Sequence, residues 1–146
     1  MGRYAIIVVA IAAVIGLGFW WTGPNGNDVV ASMDATGPTG AALVDVAVPE
    51  TFSTNAEIGK LAFDAKCAAC HGANAAGQDG VAPPLVHKIY EPNHHGDASF
   101  LLAAKNGVRA HHWRFGNMPP VEGLTDGDVK MIVAYVRELQ RANGIN

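Results

Sequence analysis

Cys67 and Cys70 are the only two cysteines of the 146-residue chain, and they sit in the stretch "CAACHG" with His71 directly behind them. A Cys-x-x-Cys pair serves one of three chemistries, and each demands different surroundings. It can be a redox-active dithiol, half of a zinc site, or the attachment point of a covalent haem. A thioredoxin-type dithiol opens a helix that follows a strand. A zinc site needs four ligands, commonly from two such pairs or from a pair plus spaced histidines. The sequence around the pair therefore constrains both the fold and the chemistry.

From Thr54 onward the pattern is helical. "TNAE" has the form of a capping box, with Thr54 accepting from the Glu57 amide. Ile58, Leu61, Ala62 and Ala65 predict one apolar face leading up to the cysteines. "DASFLLAAKNG" predicts a short helix with Asp97 as cap and Gly107 as terminator, and "TDGD" at 125–128 predicts a second capping box. The last helix then carries a stripe of Val129, Ile132, Val133, Val136 and Leu139, with Gly144 as its stop. Within "ALVDVAV" there is enough alternation for a short strand, but the segment reads better as irregular chain. The expected class is all-α: three or more helices over residues 54–146, joined by Gly- and Pro-rich loops. So small a domain buries little apolar surface by itself, so something else has to fill its centre.

These expectations separate the three chemistries. No strand precedes the cysteines, which removes the dithiol's setting. Histidines 94–95 and 111–112 come as adjacent doublets, at no zinc-finger spacing. Cys-x-x-Cys-His is instead the haem attachment signal. The two-residue gap lets both thiols reach the two vinyl groups along one porphyrin edge. His71 then stands where its imidazole can reach the iron. One covalent haem c would also supply the missing apolar core.

On these residues the stretch from Thr54 to Ile145 resembles a class I c-type cytochrome. Gly59 and Phe63, with Tyr135 in the last helix, resemble the contact where the family's first and last helices cross. "APPL" at 82–85 resembles the proximal proline loop, which implies that the Pro83 carbonyl accepts the ring N–H of His71. "GNMPP" at 116–120 resembles the loop that presents the sixth ligand, which implies Met118 opposite His71 on the iron. Met33 and Met131 lie in the linker and the last helix and are not candidates. Leu85, and Val86 beside it, are expected in the haem-contacting wall. Trp113 and Arg114, both hydrogen-bond donors, are expected at the haem propionates. The doublets His94–His95 and His111–His112 are read as hydrogen-bonding groups around the haem crevice. Copper binding is the alternative, and it would need one histidine from each doublet.

The rest of the chain is appendage. Residues 4–21, "YAIIVVAIAAVIGLGFWW", contain no charge and end in two tryptophans. Eighteen helical residues reach about 27 Å, close to the roughly 30 Å of bilayer hydrocarbon. An uncleaved single-pass anchor over residues 1–21 fits this run better than a signal peptide, whose apolar part is shorter and ends in small residues. Arg3 favours a cytoplasmic N-terminus, with the haem domain on the periplasmic side of a bacterial membrane. Residues 22–53 read as a flexible linker whose charges, Asp28, Asp34, Asp45 and Glu50, are all acidic. From residue 54 nine Lys/Arg balance nine Asp/Glu, so no basic patch for nucleic acid exists.

A haem held by both His71 and Met118 has no open position, so the expected role is electron transfer rather than catalysis on a small-molecule substrate. The expected partners are redox proteins: a quinol-oxidising cytochrome complex as donor, and a terminal oxidase or another periplasmic protein as acceptor. A tethered shuttle is the first reading. A fixed cytochrome subunit of a larger oxidase or dehydrogenase complex is the alternative.

Overall fold

The computed structural model describes residues 40–146. The anchor expected over 1–21 and the first part of the linker lie outside the described residues. Four helices order the rest: α1 (Thr54–Lys66), the single turn α2 (Ala68–His71), α3 (Asp97–Asn106) and α4 (Asp126–Ala142). Two short 3₁₀ turns, Ala73–Ala75 and Lys88–Tyr90, shape the loops between α2 and α3. Among the described residues there is no β-strand, only two isolated bridges, which agrees with the all-α expectation. None of the helices there is long and apolar enough to cross a membrane.

The helix ends follow capping chemistry, with one shift of register. Thr125 and Asp128 form the expected reciprocal box at the start of α4. At α1 the cap is Ser53, not Thr54: its hydroxyl accepts from the Ala56 amide, and Thr54 is already the first helical residue. Ser53 also donates from its hydroxyl to Glu138 at 2.6 Å, which ties the start of α1 to α4. For α3 the cap is Gly96, and Asp97 is freed to pair with Arg137. Gly107 ends α3 as expected, at φ +73°.

The core lies where α1 crosses α4. Tyr135 is fully buried, with the rings of Phe63 and Phe52 at 5.5 and 5.3 Å from its own. The expected α4 stripe is buried in full. The apolar face expected for α1 is corrected in part: Ala62 packs on the core as expected, but Ala65 is exposed. Ile58 is 50 % and Leu61 73 % exposed, while Ala56, Gly59 and Phe63 face the core. The hydrophobicity of residues 58–65 misleads because the crossing demands small residues, not large ones, at its closest point.

Gly59 is that point. A Cβ there would lie 1.8 Å from the Met131 carbonyl oxygen, a backbone atom of α4 that cannot swing aside. Gly59→Ala must push the two helices apart, so it should destabilise the domain by about 3 kcal/mol or more, the upper range for overpacking. A fall in the denaturant midpoint at unchanged haem content measures it.

Residues 40–53, expected as the end of the linker, lie against the helical domain. Gly40 donates to the Asp79 carbonyl, and the Leu43 and Val44 amides both donate to that of Ala76. Asn143 clamps Ala47 through two hydrogen bonds of 2.8 and 2.9 Å, and Val46 and Phe52 pack on the core. Alternation in "ALVDVAV" thus reflects an irregular strap with one packed side.

Candidate cofactor site

The junction of α1 and α2 places the cysteines. Cys67 caps both helices, so its side chain is half-buried, while Cys70 is exposed one turn on. Burial, and then the neighbouring Cys70, push the Cys67 thiol up to about 11. The attacking thiol of a redox dithiol needs the opposite shift, so Cys67 is poorly suited to that role.

His71 ends α2 and is only 8 % exposed. Its Nδ1 lies 2.9 Å from the Pro83 carbonyl oxygen, which can only accept, so Nδ1 carries the proton and Nε2 keeps its lone pair. Burial lowers the pKa of the ring, with the Pro83 hydrogen bond opposing in part, which keeps the imidazole neutral and able to ligate.

Met118 is held by its backbone. It exchanges two hydrogen bonds with Val108, at 2.9 and 3.0 Å, and Asn117 Oδ1 accepts from the Ala110 amide across the same loop. Gly107 permits this approach, because a Cβ there would meet the Met118 carbonyl oxygen at 2.5 Å.

One cavity of about 510 Å³ brings these groups together: Cys67, Cys70, His71, Pro83, Leu85, Trp113 and Met118 all line it. Much of its wall is apolar side chain that the fold itself leaves uncovered. Helix α3 buries no residue fully, yet Phe100, Leu102 and Ala103 face the cavity. Val81 and Leu102, two of the large exposed hydrophobic residues, are at its wall as well. Trp113 adds one polar requirement. Its Nε1–H is buried without a hydrogen-bond partner. Burial raises the pKa of the Tyr90 phenol and the nearby Trp113 indole opposes this in part, yet the indole N–H has no hydrogen-bond partner there. A flat apolar group with an anionic edge fits such a wall on both counts, by covering carbon and by giving the indole an acceptor.

Arg114 is the expected contact that the structure does not bring to the cavity. Trp113 and Phe115 stack at 5.8 Å and both face inward, so the residue between them points outward and is exposed. Val86 is in the core cluster behind the wall rather than on it.

Several organising residues were not legible in the sequence. Arg137 is buried on α4 and donates to Asp97, to the Tyr90 and His95 carbonyls and to Gln140 Oε1. Gln140 is fully buried and donates to the Leu85 and Tyr90 carbonyls. Together they fasten the 85–95 loop to α4. Hydrophobic periodicity is blind to polar residues inside a stripe, and only their position next to Val136 and Leu139 hinted at burial. His87 was also missed, and it meets the Trp113 ring edge-on at 5.1 Å.

The histidine doublets come together. His94 Nε2 and His112 Nε2 are 3.4 Å apart, and His95 and His111 complete a cluster with ring centroids 4.2–6.1 Å apart. Partial desolvation, and then the charges of its three neighbours, hold the His112 imidazole below its ordinary pKa.

Comparison with known proteins agrees with this geometry. The family model described as cytochrome c matches residues 56–140. The chain is also 33 % identical, over 122 residues, to a protein of Azospirillum brasilense named Cbb3-type cytochrome c oxidase subunit CcoP. The match covers 78 % of this chain but only 38 % of that protein's length.

Proposed function

Since the chain belongs to the cytochrome c family, whose cofactor is covalently attached haem c, we propose that it carries single electrons through one haem held by Cys67, Cys70, His71 and Met118. The observation that carries this reading is that His71 and Met118 line the same apolar cavity, each fixed from behind by hydrogen bonds. Haem c, when bound, supplies a one-electron iron couple whose potential is raised by a thioether ligand. The chain's own residues do the rest. Cys67 and Cys70 hold the porphyrin edge as thioethers. Pro83 fixes the tautomer and orientation of His71 and raises its donor strength. The Val108 bridge holds the Met118 loop in place, which would keep water and small ligands from the iron. Trp113 Nε1 would donate to a propionate, and Leu85 forms part of the apolar wall.

The apolar run at 4–21 supports a single-pass anchor, with the haem domain on the outer face of the cytoplasmic membrane. Because residues 40–53 are strapped to the domain, only 22–39 remain as tether. If that linker behaves as the flexible chain its composition suggests, eighteen residues would have an r.m.s. span of about 23 Å and a limit of about 60 Å, enough for neighbours but not for distant partners. That reach suits an electron carrier working beside its acceptor, a terminal oxidase. A second reading, a fixed subunit of such an oxidase, is favoured by the name of the Azospirillum relative. Purification from membranes in mild detergent distinguishes them. The carrier reading expects holoprotein that separates from large subunits and, once reduced, is rapidly reoxidised by oxidase-containing membranes. Stoichiometric co-purification of large subunits selects the fixed subunit, and failure to be reoxidised by any membrane fraction contradicts both.

A further inference from the structure

Three of the four histidines, His95, His111 and His112, line the cavity and His94 stands beside His112, and the haem reading gives none of them a ligand role. His94, His95 and His112 each offer a ring nitrogen, and these three atoms lie within 4.8 Å of one another. The 3.4 Å between His94 Nε2 and His112 Nε2 is long for a hydrogen bond, whose usual length is near 3.0 Å. It is the separation that two nitrogens take on one ion: at about 2.05 Å per bond and tetrahedral angles, they stand about 3.3 Å apart.

The surroundings also prepare the ligands. His95 Nδ1 lies 2.6 Å from the Ile89 carbonyl, so that nitrogen carries the proton and Nε2 is the free donor atom. Such a backbone acceptor behind the ring is the usual support of a ligating histidine. The backbone beneath is fixed as well. Both the His94 and His95 amides donate to the Glu91 carbonyl, and buried Arg137 donates to the His95 carbonyl at 2.5 Å. This tight turn lets adjacent residues serve one centre, which the sequence alone argues against. His111 is turned aside, its Nδ1 held 2.8 Å from the Arg109 carbonyl. No carboxylate is in the group, so its chemistry is imidazole alone.

We propose that His94, His95 and His112 form a second metal site, for a first-row transition ion of borderline softness such as zinc(II), with the fourth position left to water. Three imidazoles and an open position suit such an ion and exclude calcium and magnesium, which require oxygen ligands. The site uses none of the haem ligands, although His95 and His112 share the cavity wall with them.

The test uses full-length holoprotein stripped with chelator, titrated with zinc chloride by calorimetry and analysed for metal after dialysis. The proposal expects one zinc retained per haem with the haem spectrum unchanged. His94→Gln and His112→Gln should each weaken binding by about tenfold or more, while keeping the haem spectrum of the parent. Both side chains are exposed, so neither substitution threatens the fold. Zinc that dialyses away, or that is retained equally by both variants, overturns the site.

Discussion

Replacing Cys67 and Cys70 together with alanine should abolish covalent haem and leave little folded domain. The reason is the cavity. If about 510 Å³ of apolar space went unfilled at about 24 cal/mol per Å³, the loss would be about 12 kcal/mol. The cavity is open and water can enter, so that figure is an upper bound. It is nonetheless as large as the whole stability of an ordinary domain, about 5–15 kcal/mol. Helix α3 should be lost first, because it buries no residue fully and its inner side faces the cavity. The α1–α4 crossing, packed through Phe63 and Tyr135, should be the last to go. Pyridine haemochrome absorbance on denatured protein should fall to zero, and far-UV circular dichroism should lose most of its helical signal. A double variant that kept a native helical signal without haem would show that the cofactor is not part of the core.

The residues that carry chemistry were more legible than the residues that carry packing. The His71–Pro83 hydrogen bond, the Gly59–Phe63–Tyr135 crossing and the position of Met118 on the cavity could be anticipated. Each depends on a short local pattern with a fixed geometric meaning. The apolar face of α1 could not, because Ile58 and Leu61 look like core residues until the close approach at Gly59 rotates the helix. The strap at 40–53 looked like linker because its hydrogen bonds run to distant partners such as Ala76, Glu138 and Asn143, and its packing side chains, Val46 and Phe52, follow no period. Arg114 was expected at a propionate, and composition does not reveal that Trp113 and Phe115 line the cavity while Arg114 between them is exposed. The histidine doublets were readable only as two pairs. Their meeting depends on a turn at Glu91 and on Arg137, a charged residue inside an otherwise apolar stripe.

Met118→Ala should change the cofactor's chemistry without emptying the core. The backbone bridge between Val108 and residue 118 needs no side chain, so the loop should keep its place while the distal position opens. The ferric Met-to-iron charge-transfer band should disappear and the potential should fall, because the thioether favours the ferrous state. Met131→Ala, at a residue whose backbone meets Gly59 in the α1–α4 crossing and which does not line the cavity, should change neither property.

The same chemistry gives the most direct test of electron transfer through a closed His71–Met118 pair, namely carbon monoxide titration of the ferrous holoprotein at neutral pH. Wild-type protein should show no spectral change with added carbon monoxide, and Met118→Ala should bind one carbon monoxide per haem. Stoichiometric binding by the wild type, or none by the variant, would contradict Met118 as the ligand that closes the site.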